Sequence, residues 1–349
     1  VNQPAPTRRK PRIAVLPGDP CGVGPEMAAR LLALPGNRDA AELLLIGDPV
    51  AMAAGERIAG TTLPRLEIGS LESLHFEPGR ITHLTVPRAL AAEPPLGESR
   101  EDAGRSVLGS LEAATAAARA GLVDGIVFAP LNKHSLRVAG MQQEDELRFL
   151  QDRFGVQTFT CEFNVTGDLW TSRVTSHVPL REVAGLITPE AVKQAVHLLH
   201  DALVQSGLSR PRIAVSGLNP HAGDGGSIGT EEIELIAPAV RELAASGLAV
   251  TGPWSPDTVF IAARRGDFDA VVSMYHDQGQ IAMKLMGFER GVTVHGGLPV
   301  PVTTSASGSA FDIAGKGIAR VEGLQQAFDL CVRMATQLLE PAAAAALAA

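Results

Sequence analysis

Short runs of buried-type residues recur along this chain, each followed by a polar, glycine-bearing loop and then a helical stretch. That rhythm restricts the fold more than any single motif. The runs IAVL (Ile13–Leu16), LLLI (Leu43–Ile46), GIVF (Gly125–Phe128), Arg173–Thr175, IAVS (Ile213–Ser216) and AVVSM (Ala270–Met274) read as strands. Helical stretches over Pro25–Leu34, Ser106–Ala120, Pro189–Gln205 and Glu231–Ala245 fall between them or follow them. Strands separated by helices of that length pair in parallel, which predicts an α/β fold with both sheet faces covered. Strands buried on both faces should be continuously apolar, as these are. With 349 residues, 45% of them apolar and 19% charged, the material suffices for two lobes, since single cores stop growing beyond roughly 250–300 residues.

Composition excludes several classes. The mean hydropathy of +0.13 argues against a disordered chain, and no run of about 18 uncharged apolar residues suggests a membrane span. A net charge of −8 and 4% aromatics disfavour nucleic-acid binding. Cys21, Cys161 and Cys331 are too scattered for a disulfide framework or a thiolate zinc site. The start, VNQPAPTRRKP, lacks the apolar stretch of a signal peptide and reads as a flexible arm. These features predict a cytoplasmic protein with neither a membrane nor a nucleic-acid partner.

In open α/β sheets, ligands gather where strands end and loops lead into helices. Those stations carry PGDPCGVGPE, APLNKH, TSHVPL, GLNPHAGDGG and MYHDQG. His177, His221 and His276 each follow a strand, and three imidazoles can hold an ion while leaving positions open. On spacing alone, three unrelated loop histidines are the better account. Asn219, Asp224, Asp277 and Gln278 beside them could orient the rings. PGDPCGVGPE is a glycine turn before a helix, but its glycines do not match the dinucleotide GxGxxG pattern. The segment Gly308–Ala319, GSAFDIAGKGIA, has the small residues that allow close approach to a nucleotide, though an ordinary loop fits as well. No GxSxG elbow supports a serine hydrolase.

Together these loops resemble the 4-hydroxythreonine-4-phosphate dehydrogenase family, an enzyme family of vitamin B6 synthesis. The matching pieces are IAVLPGDPCGVGPE, GRSVLGSLEAA, APLNK, SHVPLREV, SGLNPHAGDGGSIGTEEIELIAP, GPWSPDT and MYHDQGQIAMKLMGFERGV, from about residue 12 to about 335. The resemblance implies two α/β/α lobes with a cleft between them, akin to isocitrate and isopropylmalate dehydrogenases. The first lobe would be 12–135 with 303–340, on the nucleotide side. The second, 136–302, would carry the metal loops and dimer contacts, with a flexible arm at 1–11 and an alanine-rich tail at 341–349. It further implies a homodimer with shared sites, NAD, and a divalent metal held by His177, His221 and His276. Zinc is the first candidate, with Co, Mn, Ni or Mg as others. Gly308, Ser309, Ala310, Asp312 and Gly315 would bind the cofactor, in a loop like that of the isocitrate dehydrogenases. Lys284 and Asp277 are the catalytic candidates, Lys284 for substrate carboxylate or proton transfer and Asp277 for orienting its neighbours. Lys284, Thr293, Val302 and Asn219 would contact a small carboxylate substrate.

Departures from the pattern point to a particular branch. The family's Gly-His-Thr-Glu run is replaced by QQEDELRF (Gln142–Phe149), its asparagine by Thr293, its arginine by Val302, and a His-Gly pair by Ser307-Gly308. A lost guanidinium removes a fork for phosphate. The expected reaction is therefore NAD- and metal-dependent oxidative decarboxylation of a β-hydroxy carboxylate, with terephthalate cis-dihydrodiol as substrate. Val302 and Met283 would line its ring slot. The alternatives are 4-hydroxythreonine 4-phosphate itself, a related sugar-acid phosphate, or an inactive binding homologue.

Overall fold

The structure, a computed structural model, describes residues 9–86, 90–287 and 290–340. Most of the expected arm and the whole alanine-rich tail lie outside the described residues. Twelve strands occur among those described: β1 (Arg12–Leu16), β2 (Glu42–Gly47), β3 (Arg65–Ile68), β4 (Ile81–Thr85), β5 (Gly125–Phe128), β6 (Cys161–Thr166), β7 (Leu169–Arg173), β8 (Ile213–Ser216), β9 (Val250–Trp254), β10 (Ala270–Ser273), β11 (Val292–Gly296) and β12 (Val302–Ser305).

The chain divides into two compact units, Val1–Phe154 with Val300–Ala349, and Gly155–Pro299. In the first unit the strand order is β3-β4-β2-β1-β5-β12, and every pairing is parallel. The central strands are buried nearly throughout, the signature of a sheet covered on both faces. The segment 136–154, assigned on sequence to the second lobe, lies in this unit. Its helix Glu146–Phe154 sends Arg153 to Glu112 of the helix Glu101–Arg119 at 3.2 Å.

The second unit has the order β11-β6-β7-β10-β8-β9. It departs from the all-parallel expectation, because β6 runs antiparallel to both β11 and β7. The β6–β7 link is Gly167-Asp168, with Gly167 at φ 60°, a two-residue hairpin turn. CEFNVT alternates buried and half-buried residues, as a strand with unequal faces should. The remaining pairings, β7–β10, β10–β8 and β8–β9, are parallel. Their core includes Leu169, Ala214, Val259, Phe260, Ala263, Val271 and Met283. Because parallel strands point one way, the loops after β7, β8 and β10 leave from one edge of this sheet.

Candidate active site

In the second unit, the loops after β7 and β10 bring His177 and His276 together, with ring centroids 5.5 Å apart. They line a cavity of about 280 Å³ with Ser176, Val178, Tyr275 and Asp277. His276 opens the helix His276–Gly287, and its Nδ1 lies 2.7 Å from Oδ1 of Asp277. A carboxylate on one ring nitrogen fixes the imidazole so that Nε2 could serve a metal, the arrangement usual for a metal-bound histidine.

His221 reaches the same edge by a different route. Residues His221 to Gly226 all have positive φ, from 44° at Asp224 to 97° at Gly226, so the loop after β8 winds left-handed. Each non-glycine residue in that conformation costs roughly 1–2 kcal/mol. His221, Ala222 and Asp224 all pay it, so the turn needs support. Gln278 ties it to the β10 loop, its Nε2 donating to the Gly217 carbonyl at 2.9 Å and its Oε1 accepting from Met274 N–H at 2.6 Å. Asp257 lies close enough to His221 to feel it. The Ser255 hydroxyl, 2.6 Å away, holds Asp257 below the usual carboxylate range, and His221 lowers it further.

The donor set suits a divalent transition ion: imidazoles, one carboxylate-braced, at the edge of a small cavity. Within one chain, the ring nitrogens of all three histidines do not come within 4.8 Å of one another. The structure brings two of the expected ligands side by side and puts the third on an adjoining, separately braced turn.

The other expected residues are distributed unevenly. Lys284 lies exposed on the helix His276–Gly287, two turns beyond His276. Thr293 is half-buried on β11, in register with Asn164 of β6. Asn219 uses its amide protons within the loop, donating to Glu231 at 2.7 Å and Glu232 at 3.0 Å. Val302 is fully buried on β12 in the first unit, and Met283 is buried in the core of the second. In QQEDELRF, Asp145 caps the following helix by accepting from Arg148 N–H at 2.8 Å, while Leu147 and Phe149 are buried.

The first unit assembles the expected cofactor loop against the glycine turn after β1. Val23 N–H donates to the Ser309 carbonyl at 3.0 Å, and a Cβ added at Gly22 would lie 2.6 Å from that oxygen. Gly22 is a glycine because the two loops touch there, a reason that the mismatch with GxGxxG did not suggest. Ala310 (φ 42°) and Gly315 (φ 80°) turn the loop, and Gly308, Asp312 and Gly315 are exposed. Ser307, where the family's histidine is expected, lies 2.9 Å from the Ser305 hydroxyl. Sequence reasoning missed the clasp behind this loop. Glu26, 2% exposed, accepts from Ala319 N–H at 3.0 Å and from Arg30, which donates to the Gly317 carbonyl at 2.7 Å. A glutamate right after GVGP, followed four residues later by arginine, was the available signal. Asp19 is fully buried in the same turn, with Oδ1 accepting from Cys21 N–H at 2.8 Å, and burial pushes its carboxyl above the ordinary range.

Replacing Gly22 with alanine should push the two loops apart. If the loop holds the expected nicotinamide cofactor, the Michaelis constant for it should rise by about tenfold, a cost of roughly 1–2 kcal/mol typical of a backbone clash. Metal affinity should stay unchanged if, as expected, the histidines of the other unit hold the ion. Steady-state kinetics with a parallel calorimetric metal titration checks both halves.

Comparison with known proteins agrees on the family. The sequence signature of "Pyridoxal phosphate biosynthetic protein PdxA" matches residues 39–331. A Pseudomonas aeruginosa relative, provisionally named 4-hydroxythreonine-4-phosphate dehydrogenase 2, is 51% identical over 93% of this chain and 97% of its own. The 4-hydroxythreonine-4-phosphate dehydrogenase of Beijerinckia indica is 38% identical over 92% of this chain and 94% of its own. Among solved structures, the 4-hydroxythreonine-4-phosphate dehydrogenase of Burkholderia phymatum is 35% identical, with a TM-score of 0.79 over 94% of this chain and 99% of that one. These findings overturn the terephthalate expectation. The terephthalate dihydrodiol dehydrogenase of Burkholderia xenovorans is more distant in both sequence and structure, at 28% identity and a TM-score of 0.67. The valine that stands in place of the expected arginine is fully buried. By family signature, sequence identity and fold, the chain belongs to the pyridoxal phosphate biosynthetic protein PdxA family, and with it to the dehydrogenases that use NAD(P) and a divalent metal.

Proposed function

We propose that this chain oxidises 4-hydroxythreonine 4-phosphate at its 3-hydroxyl, with NAD as acceptor, and that carbon dioxide then leaves the β-keto acid. The observation that carries the reading is the B. indica relative of that name, matched over 92% of this chain. The balance is simple. Hydride leaves C3 for the nicotinamide, the hydroxyl proton is released, and breaking the bond to the carboxylate leaves an electron pair that is later protonated.

His177, His221 and His276 would hold the divalent ion, zinc being the first candidate for a trio of imidazoles. When bound, the ion supplies Lewis acidity toward the substrate oxygens, and NAD supplies the hydride acceptor. Asp277 keeps His276 in its ligating tautomer through the 2.7 Å contact. Lys284, on the same helix, is positioned by this reading to meet the substrate carboxylate or pass a proton. The glycine turn and the Ser309 loop would hold the dinucleotide.

The working form under this reading is a homodimer. Leu285 and Ile281, 84% and 60% exposed on the helix His276–Gly287, offer apolar surface beside the proposed ligands. A partner covering that helix would also desolvate Lys284.

A substrate panel followed by nicotinamide absorbance tests the assignment. It should contain 4-hydroxythreonine 4-phosphate, the same compound without phosphate, and threonate 4-phosphate. The last is included because a Bordetella bronchiseptica relative named D-threonate 4-phosphate dehydrogenase is 37% identical. Turnover should require the phosphate, with kcat/KM falling by about 10²–10³ without it, as for a lost charged partner worth 2–5 kcal/mol. NAD should be preferred to NADP, and sedimentation of the active enzyme should show two chains. Efficient turnover of threonate 4-phosphate with none of the amino acid would overturn the substrate assignment.

A further inference from the structure

We propose that Glu232 is a positioning residue whose buried carboxylate sets the left-handed turn carrying His221, and thereby the affinity of the metal site. The inference rests on the proposed function insofar as His221 is taken as a ligand. Glu232 is 2% exposed, within a single turn of wider helix over Glu232–Ile236. Its Oε1 accepts from the backbone N–H groups of Leu218 and Asn219, both at 2.7 Å. Its Oε2 accepts from the Asn219 side chain at 3.0 Å. Three donors thus converge on one buried carboxylate, the arrangement that makes removal of the acceptor costly.

The carboxylate also lies inside the turn. A Cβ added at Gly223, where φ is +80°, would lie 2.7 Å from Oε2, and one at Gly217 would lie 3.0 Å from Oε1. The left-handed residues therefore wind directly over Glu232. Nothing else in the local sequence favours left-handed backbone at His221 and Ala222, which are not glycine. Pinning residues 218 and 219 from below fixes where the turn begins. The turn then fixes where His221 points. Glutamine cannot replace the carboxylate fully: one of its two ends is a donor and would face either backbone N–H groups or the Asn219 amide.

Glu232→Gln and Gly223→Ala test the device from its two sides, one changing the carboxylate and one pressing on it. Two measurements on the full-length protein are needed: hydrogen exchange of the amides across 217–226, and calorimetric titration of the metal-stripped protein with Co2+ alone. In both variants, exchange across 217–226 should accelerate by at least about tenfold. Co2+ affinity should fall by about 10–100-fold, the usual cost of losing an outer support of a metal site. Exchange elsewhere in the second unit should stay at the wild-type rate. Wild-type exchange and affinity in a folded Glu232→Gln protein would overturn the proposal. If that variant fails to fold, the same result in Gly223→Ala would overturn it. Wild-type protein that takes up no Co2+ would sink the metal reading, and exchange across 217–226 would then decide the role of Glu232 in the turn by itself.

Discussion

Alanine at His276 is expected to lower kcat by about 10³-fold and to abolish stoichiometric uptake of a divalent ion. The size follows from the proposed chemistry, because stabilisation of developing negative charge by a bound ion is worth several kcal/mol and each 1.4 kcal/mol is tenfold in rate. His276 is the most informative of the proposed ligands to remove. Its ring stands 5.5 Å from that of His177, and Asp277 braces it. The melting temperature of the metal-free protein should change little, because His276 is at the solvent-facing end of its helix and not in a core. Asp277→Asn should fall between wild type and His276→Ala, since an amide can still hydrogen-bond the ring but no longer makes it more basic. Calorimetry, kinetics and thermal unfolding on the three proteins check the series. His276→Ala protein with unchanged ion affinity and kcat would remove this histidine from the site.

How far this site could be read from the residues depended on whether each feature was local. The parallel core was plain because continuous apolar runs such as IAVL and AVVS leave little choice of environment. The helix Pro189–Gln205 matched its expected ends because its start is written in the sequence, with Thr188 capping Ala191 N–H at 3.1 Å and proline at the first position. The hairpin of β6 and β7 was legible in principle, as an alternating CEFNVT before Gly-Asp, but was passed over for a rhythm of parallel units. The left-handed turn was not legible. His221 and Ala222 have no intrinsic preference for it, and the bonds around the turn come from residues distant in sequence, Gln278 and the Glu232 carboxylate. Choosing the substrate from single replacements failed for a related reason. Val302 was read as facing a ligand, yet whether a strand residue faces outward is set by its neighbours, and here it is buried.

Acidification should destabilise the first unit through a histidine that takes no part in catalysis. His83 on β4 is fully buried, and burial, more than the nearby Arg65 guanidinium, pushes its pKa down from 6.5 to about 4. The hydrogen bonds show why the ring stays neutral. Arg65 approaches Nδ1 at 3.0 Å and can only donate, so Nδ1 must accept, while Nε2 faces the Gly47 carbonyl at 3.3 Å and must carry the proton. A second proton would set an N–H against the guanidinium. The unfolded chain binds that proton below pH 6.5 and the folded chain does not until about pH 4. Stability is therefore unaffected above 6.5 and falls as the pH drops through the window from 6.5 to 4. At about 1.4 kcal/mol per pH unit, this one group can remove about 3 kcal/mol across that window. His83→Gln keeps a donor and an acceptor without a titrating ring. Its stability at pH 7 should be somewhat lower, but its loss between pH 6.5 and 4 should be smaller than wild type by up to about 3 kcal/mol. Urea unfolding at a series of pH values measures the difference. Parallel curves for the two proteins would show that His83 titrates no differently in the folded and unfolded chains.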